Sequence, residues 1–146
     1  SFLKNGREKD IVFTWKDILD FEGESGPYVQ YAYARGKSIL RKAVESGIDY
    51  SDADLSQVEG SEEFELVKLI NSYADVVRDA ALKYEPCCVT RFVTDLAQSF
   101  NKFYNTCNIM KSEPGLREAR LMLTEAACIC IKSALYLIGV RVVEKM

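Results

Sequence analysis

The chain has 146 residues, of which 48% are apolar and 28% charged. That length and balance suit one domain with its own core, and they exclude a disordered or membrane-spanning chain. The net charge of −3 means that any nucleic-acid partner must meet a local basic face, because the molecule as a whole is not basic.

Residues 1–13 are short and mixed, ending in Asp10-Ile11-Val12-Phe13, a possible strand with no partner strand in view. Thr14 offers an N-cap, and Trp15, Ile18 and Leu19 have helical spacing, so a short helix is predicted up to Gly23. Ser25 and Pro27 open the next helix, which is predicted to run to about Glu45. Its apolar stripe is Val29, Ala32, Tyr33, Gly36, Ile39, Leu40 and Ala43. Tyr28, Tyr31, Arg35, Ser38 and Lys42 form the neighbouring face. From Gly47 to Gly60 the chain is acidic and reads as a surface loop. Ser61 is the predicted cap of a third helix, with Glu62 and Glu63 suited to its first turn.

Pro86 is expected to end that helix and open the fourth, whose stripe is Val89, Phe92, Val93, Leu96, Phe100, Phe103, Tyr104 and Cys107. Ser112, Pro114 and Gly115 mark the next break. The last helix is predicted from about Leu116 to Ile138, with Gly139 at its C′ position. Its second half is apolar nearly all round, which predicts the most buried element. The expected fold is all-α, a bundle of about five helices behind a short non-helical N-terminal segment.

The five cysteines are odd in number and lack a CxxC spacing. No leader of secretory type opens the chain. Reduced, mostly buried thiols in a cytoplasmic protein are expected, with no metal site. The chain contains no histidine. That removes the commonest general base and any Ser–His or Cys–His nucleophile, so no catalytic residues are predicted. No glycine-rich phosphate loop is present.

Three stretches carry groups suited to RNA. Tyr28, Tyr31 and Arg35 share a helix face, and unpaired bases stack on aromatic rings and guanidinium planes. Tyrosines at such spacing are also commonly half-buried core, with the hydroxyl at the surface. Tyr104 lies beside Asn101, Asn105 and Asn108, whose amides suit base edges or a plain polar face. Lys145 and Met146 follow a buried helix, either held in place or frayed.

Those same stretches resemble a known family. Asp10 to Trp15, Phe21-Glu22-Gly23 and Gly26 to Arg35 are similar to the end of the catalytic domain and the first bundle helix of arginyl-tRNA synthetases. Asp95 to Tyr104 resembles the signature of their anticodon-binding domain. Ala119-Arg120-Leu121 and Leu137 through Met146 resemble its last helix and terminus. The resemblance implies that residues 1–24 are the tail of a catalytic domain and 25–146 an anticodon-binding bundle. It implies a class I parent enzyme that joins arginine to its tRNA with ATP and magnesium, chemistry absent from this piece.

By the matching motifs, Tyr28, Tyr31 and Arg35 would face the tRNA, with Tyr104, Asn108 and Met146 near the anticodon bases. Arg35, Arg41, Lys42 and Lys145 are expected to position phosphates. The expected partners are an arginine tRNA and the parent's catalytic domain, with neither DNA nor membrane. The rival reading is a protein-interaction bundle whose tyrosine face meets another protein.

Overall fold

A computed structural model describes residues 25–144. The helix expected over Trp15–Leu19 and the strand-like Asp10–Phe13 lie outside that range. Within it, four α-helices and two short 3-10 turns follow in order: α1 (Gly26–Glu45), a turn at Leu55–Gln57, α2 (Ser61–Lys83), α3 (Cys87–Thr106), a turn at Ile109–Lys111, and α4 (Leu116–Leu137). The described residues contain no strand, as the all-α prediction requires.

Helix α1 starts where the sequence predicts. The Ser25 hydroxyl accepts from the Tyr28 N–H at 3.4 Å, and Pro27 occupies the first turn, where its missing donor costs nothing. Every residue of the predicted stripe is buried, with Ala34 beside it. The helix ends in a Schellman motif: Ile48 N–H bonds the Ala43 carbonyl at 3.0 Å, with Gly47 left-handed at φ 68°. The acidic segment that follows is largely exposed, with Ile48 and Tyr50 leaning onto the core and the Leu55–Gln57 turn lying against α4.

Helix α2 is capped one residue earlier than expected. Gly60 is its N-cap and Ser61 is already helical, with its hydroxyl bonded to Glu62 at 2.7 Å. Glu63 supplies the reciprocal half of a capping box, accepting from Gly60 N–H at 2.6 Å. Of its apolar side chains only Leu66 and Ala80 are fully buried, so α2 lies at the edge of the bundle. It packs chiefly against α3. Its C-terminal Schellman turn places Tyr84 in the left-handed region at φ 55°. That conformation costs a side chain roughly 1–2 kcal/mol, and Tyr84 is 76% exposed, so its ring contributes little packing. Tyr84→Gly is expected to raise stability by about 1 kcal/mol. A urea unfolding curve checks this, and an unchanged or lower midpoint would contradict it.

Helices α3 and α4 carry the centre of the core. Val93, Leu96, Phe100 and Phe103 from α3 meet Leu121, Ile131 and Leu135 from α4, all nearly inaccessible. Helix α1 lies mainly on α4 and partly on α3. Gly36 lets it come close, because a Cβ there would strike the Cys128 sulfur and lie 3.2 Å from Phe100 Cζ. Burial pushes the Cys128 thiol up to about 12, so at neutral pH it is a packed hydrophobe. Cys87, Cys107 and Cys130 are buried too, and all five thiols are free.

The second half of α4 is less enclosed than predicted. Its inner side is sealed, but Ile129, Tyr136 and Leu137 are exposed. The three other described helices cover only one side of it. Gly139, at φ 75°, closes α4 with Val140 N–H on the Leu135 carbonyl at 2.9 Å. Val140 and Val142 then pack back onto the core.

Candidate nucleic-acid interface

The α1–α3 face gathers three of the residues singled out in the sequence. Arg35 projects from the third turn of α1, and its guanidinium carbon sits 3.8 Å from the Tyr104 ring centroid on α3. The Tyr31 ring, one turn earlier on α1, lies at 5.5 Å. Two amides of α3 hold the guanidinium in place. Arg35 Nη1 donates to Asn101 Oδ1 at 3.2 Å, and Nη2 donates to Asn105 Oδ1 at 2.8 Å. Asn101 and Asn105 are one helical turn apart, so they match the fixed fork of an arginine. A lysine, with one ammonium on a flexible stem, cannot reproduce that grip.

The rings differ in how far they reach solvent. Tyr31 is 48% exposed. Tyr104 is half-buried, its ring tilted 57° against Phe100 at 6.2 Å. Tyr28 is half-buried and packs against the core from the same stripe. Tyr33 is buried, as its place on the other stripe predicts. The rings are therefore neither sealed inside nor loose. A stacked cation between two aromatic side chains gives a rigid, flat, positively charged surface.

The remaining predicted residues are more dispersed. Lys42 is exposed two turns beyond Arg35 on the same stripe. Arg41 points to a different flank, where its Nη1 donates to the Glu144 carbonyl at 3.2 Å. Gln30, which the sequence reading passed over, donates to the Arg141 carbonyl at 2.6 Å. These two bonds tie the chain after α4 to α1 as far as Glu144. Lys145 and Met146 lie outside the described residues.

Asn108 is exposed and caps the short turn after α3. A relay of polar groups fixes that turn from beneath. The Ser112 hydroxyl donates to the Asn108 carbonyl at 2.9 Å, and Arg120 Nη1 donates to the Ser112 oxygen at 2.7 Å. Arg120 Nε in turn meets Glu63 Oε1 at 2.6 Å. Glu63 is 1% exposed. The sequence places Glu63 in the first turn of its helix, but nothing in it marks the side chain as buried. Its partner lies 57 residues away, so spacing within one helix gives no signal for it.

Comparison with known proteins agrees with this architecture. Residues 29–146 match the family described as the DALR anticodon binding domain. The arginine–tRNA ligase of Clostridium kluyveri is 50% identical over the whole of this chain, which corresponds to 26% of that protein. The same-named protein of Clostridium botulinum is 52% identical over the same share. Among solved structures, Thermus thermophilus arginyl-tRNA synthetase superposes with a TM-score of 0.83 at 35% identity, over 94% of this chain and 24% of that one. The Plasmodium falciparum arginyl-tRNA synthetase gives 0.82 at 25% identity, over 99% and 25%. This chain thus spans about a quarter of the length of the curated relatives it matches. With the match covering residues 29–146 and four helices packed as in those relatives, the chain belongs to the DALR anticodon binding domain family.

Proposed function

We propose that this chain is the tRNA-binding part of an arginyl-tRNA synthetase and that it holds the anticodon stem and loop of an arginine tRNA. The catalytic part of the same cytoplasmic protein would then use ATP and magnesium to attach arginine. Residues 1–24 would be the end of that catalytic domain. The observation that carries the reading is the Tyr31–Arg35–Tyr104 cluster on the α1–α3 face, with Arg35 locked by Asn101 and Asn105.

In this reading Tyr31 and Tyr104 offer ring faces to loop bases, and Tyr28 supports them from the same stripe. Arg35 lends the rings positive charge. Lys42 and Lys145 neutralise phosphates, with Arg41 acting where the tail crosses α1. Asn108 and Met146 meet base edges at the end of α3. The net charge of −3 does not oppose this, because the acids concentrate in the 46–65 segment rather than on the α1–α3 face.

Removing a base-stacking ring costs roughly 1–3 kcal/mol, or about a 5- to 150-fold loss of affinity. Tyr31→Ala and Tyr104→Ala are each expected to weaken binding of an arginine tRNA anticodon arm by that factor, read by fluorescence anisotropy. Because Tyr31 is 48% exposed, its variant is expected to keep the wild-type melting curve. Equal affinity in both variants would remove the cluster from the site. The same titration at two salt concentrations separates RNA from a protein partner, since phosphate contacts release counterions and weaken steeply with salt.

A further inference from the structure

The turn between α2 and α3 brings together donors that the tRNA-binding face does not use. Glu85, Cys87 and Cys88 flank Pro86, and one ligand atom from each lies within 4.8 Å of the other two. Among the described residues no other group of three such side chains converges this closely. The backbone under them is fixed. Glu85 N–H bonds the Ala80 carbonyl at 2.9 Å, Cys88 N–H bonds the Glu85 carbonyl at 3.2 Å, and Pro86 sets the turn between. Cys87 is buried, while Glu85 and Cys88 are half-buried, so the cluster opens to solvent on one side. The Cys87 thiol donates weakly to Glu85 Oε2 at 3.9 Å.

We propose that Glu85, Cys87 and Cys88 form a binding site for a thiophilic divalent cation of the zinc or cadmium type. Two thiolates and one carboxylate supply three ligands, and water completes a tetrahedron. Zinc–sulfur bonds of about 2.3 Å and a zinc–oxygen bond of about 2.0–2.2 Å put such donors roughly 3.5–3.8 Å apart. From their spacing of up to 4.8 Å, the donors draw together by about 1 Å on binding. Calcium and magnesium prefer all-oxygen shells and gain nothing from the two sulfurs. Binding breaks two S–H bonds, and both protons leave to solvent. Protons therefore compete for the site, and cation affinity rises with pH.

Calorimetric titration of the reduced chain with cadmium tests this. One cation per chain is expected, with about two protons released, counted by repeating the titration in buffers of different ionisation enthalpy. Binding is expected to tighten from pH 6.5 to 8 and to survive excess calcium. Cys88→Ser, at a half-buried position, and Glu85→Gln are each expected to weaken it at least about tenfold while circular dichroism stays unchanged. Cys87→Ser/Cys88→Ser is expected to abolish it. Absence of stoichiometric uptake by the wild type would overturn the site. So would undiminished uptake in both Cys88→Ser and Glu85→Gln, or displacement by calcium.

Discussion

Arg120→Ala is expected to destabilise the fold by about 3–5 kcal/mol, because it strips the cationic partner from a carboxylate enclosed by protein. Glu63 is 1% exposed and the Arg120 side chain 17%, so the pair is largely shielded from solvent. Glu63 would keep Gly60 N–H at 2.6 Å, which satisfies one oxygen and leaves the other facing a cavity. For a domain this size each kcal/mol moves the midpoint by roughly 2–4 °C, so thermal unfolding is expected about 10 °C lower. Replacing both partners, Glu63→Met with Arg120→Met, is expected to recover most of the loss, since no buried charge is then left alone. A double variant no better than Arg120→Ala would contradict the ion-pair account and point to lost packing instead. Arg120 also supports Ser112 and through it the Asn108 turn. In the proposed function, Arg120→Ala therefore weakens anticodon-arm binding even well below its melting temperature.

Gly36→Ala carries the second large effect, against helix propensity. In an open helix alanine is favoured over glycine by up to about 1 kcal/mol. Here the added methyl meets the Cys128 sulfur and crowds Phe100, and Phe100 is itself completely buried. Thr124 Cγ2 at 3.6 Å closes the remaining side. Overpacking of this kind costs about 1–3 kcal/mol, so net destabilisation is expected. Cys128→Ala in the same chain removes the obstructing sulfur and is expected to return part of the loss. A Gly36→Ala protein more stable than the wild type in urea would show that α1 can shift outward freely. The consequence reaches the interface, because moving α1 from α3 separates Arg35 from Asn101, Asn105 and Tyr104.

How much was legible in the sequence follows from how local each signal is. The α1 stripe from Val29 to Ala43 and the α3 stripe from Val89 to Cys107 repeat at helical spacing, and both faces are buried apart from Tyr104 at the edge. Ser25, Gly47 and Gly139 announce helix ends by residue type, because their backbone or hydroxyl chemistry serves the terminus itself. Tyr84 gives no such signal, since nothing in a tyrosine marks a left-handed residue. Gly60 rather than Ser61 caps α2 because Glu63 reaches back to its N–H.

Pairings across the chain were the least visible. First-turn acids usually face solvent near a helix dipole, and only the tertiary arrival of Arg120 makes Glu63 a buried partner. The cluster at the interface was half legible. Tyr31 and Arg35 share a helix face in the sequence, and Tyr104 stands out beside its asparagines. That Asn101 and Asn105 hold Arg35 rather than face a ligand required the α1–α3 contact. The exposed Ile129, Tyr136 and Leu137 show the opposite failure. Hydropathy counts apolar residues, but it does not say whether a neighbouring helix exists to cover them.

The central claim is that the α1–α3 face receives an RNA loop, and backbone amide shifts map it most directly. On titration of the isotopically labelled chain with an arginine tRNA anticodon arm, the largest shifts are expected along Tyr28–Lys42 and Asn101–Lys111. The outer surface of α2 is expected to stay still. Shifts confined to α2 or to the 46–60 loop, with Tyr31, Arg35 and Tyr104 unmoved at saturation, would contradict the account.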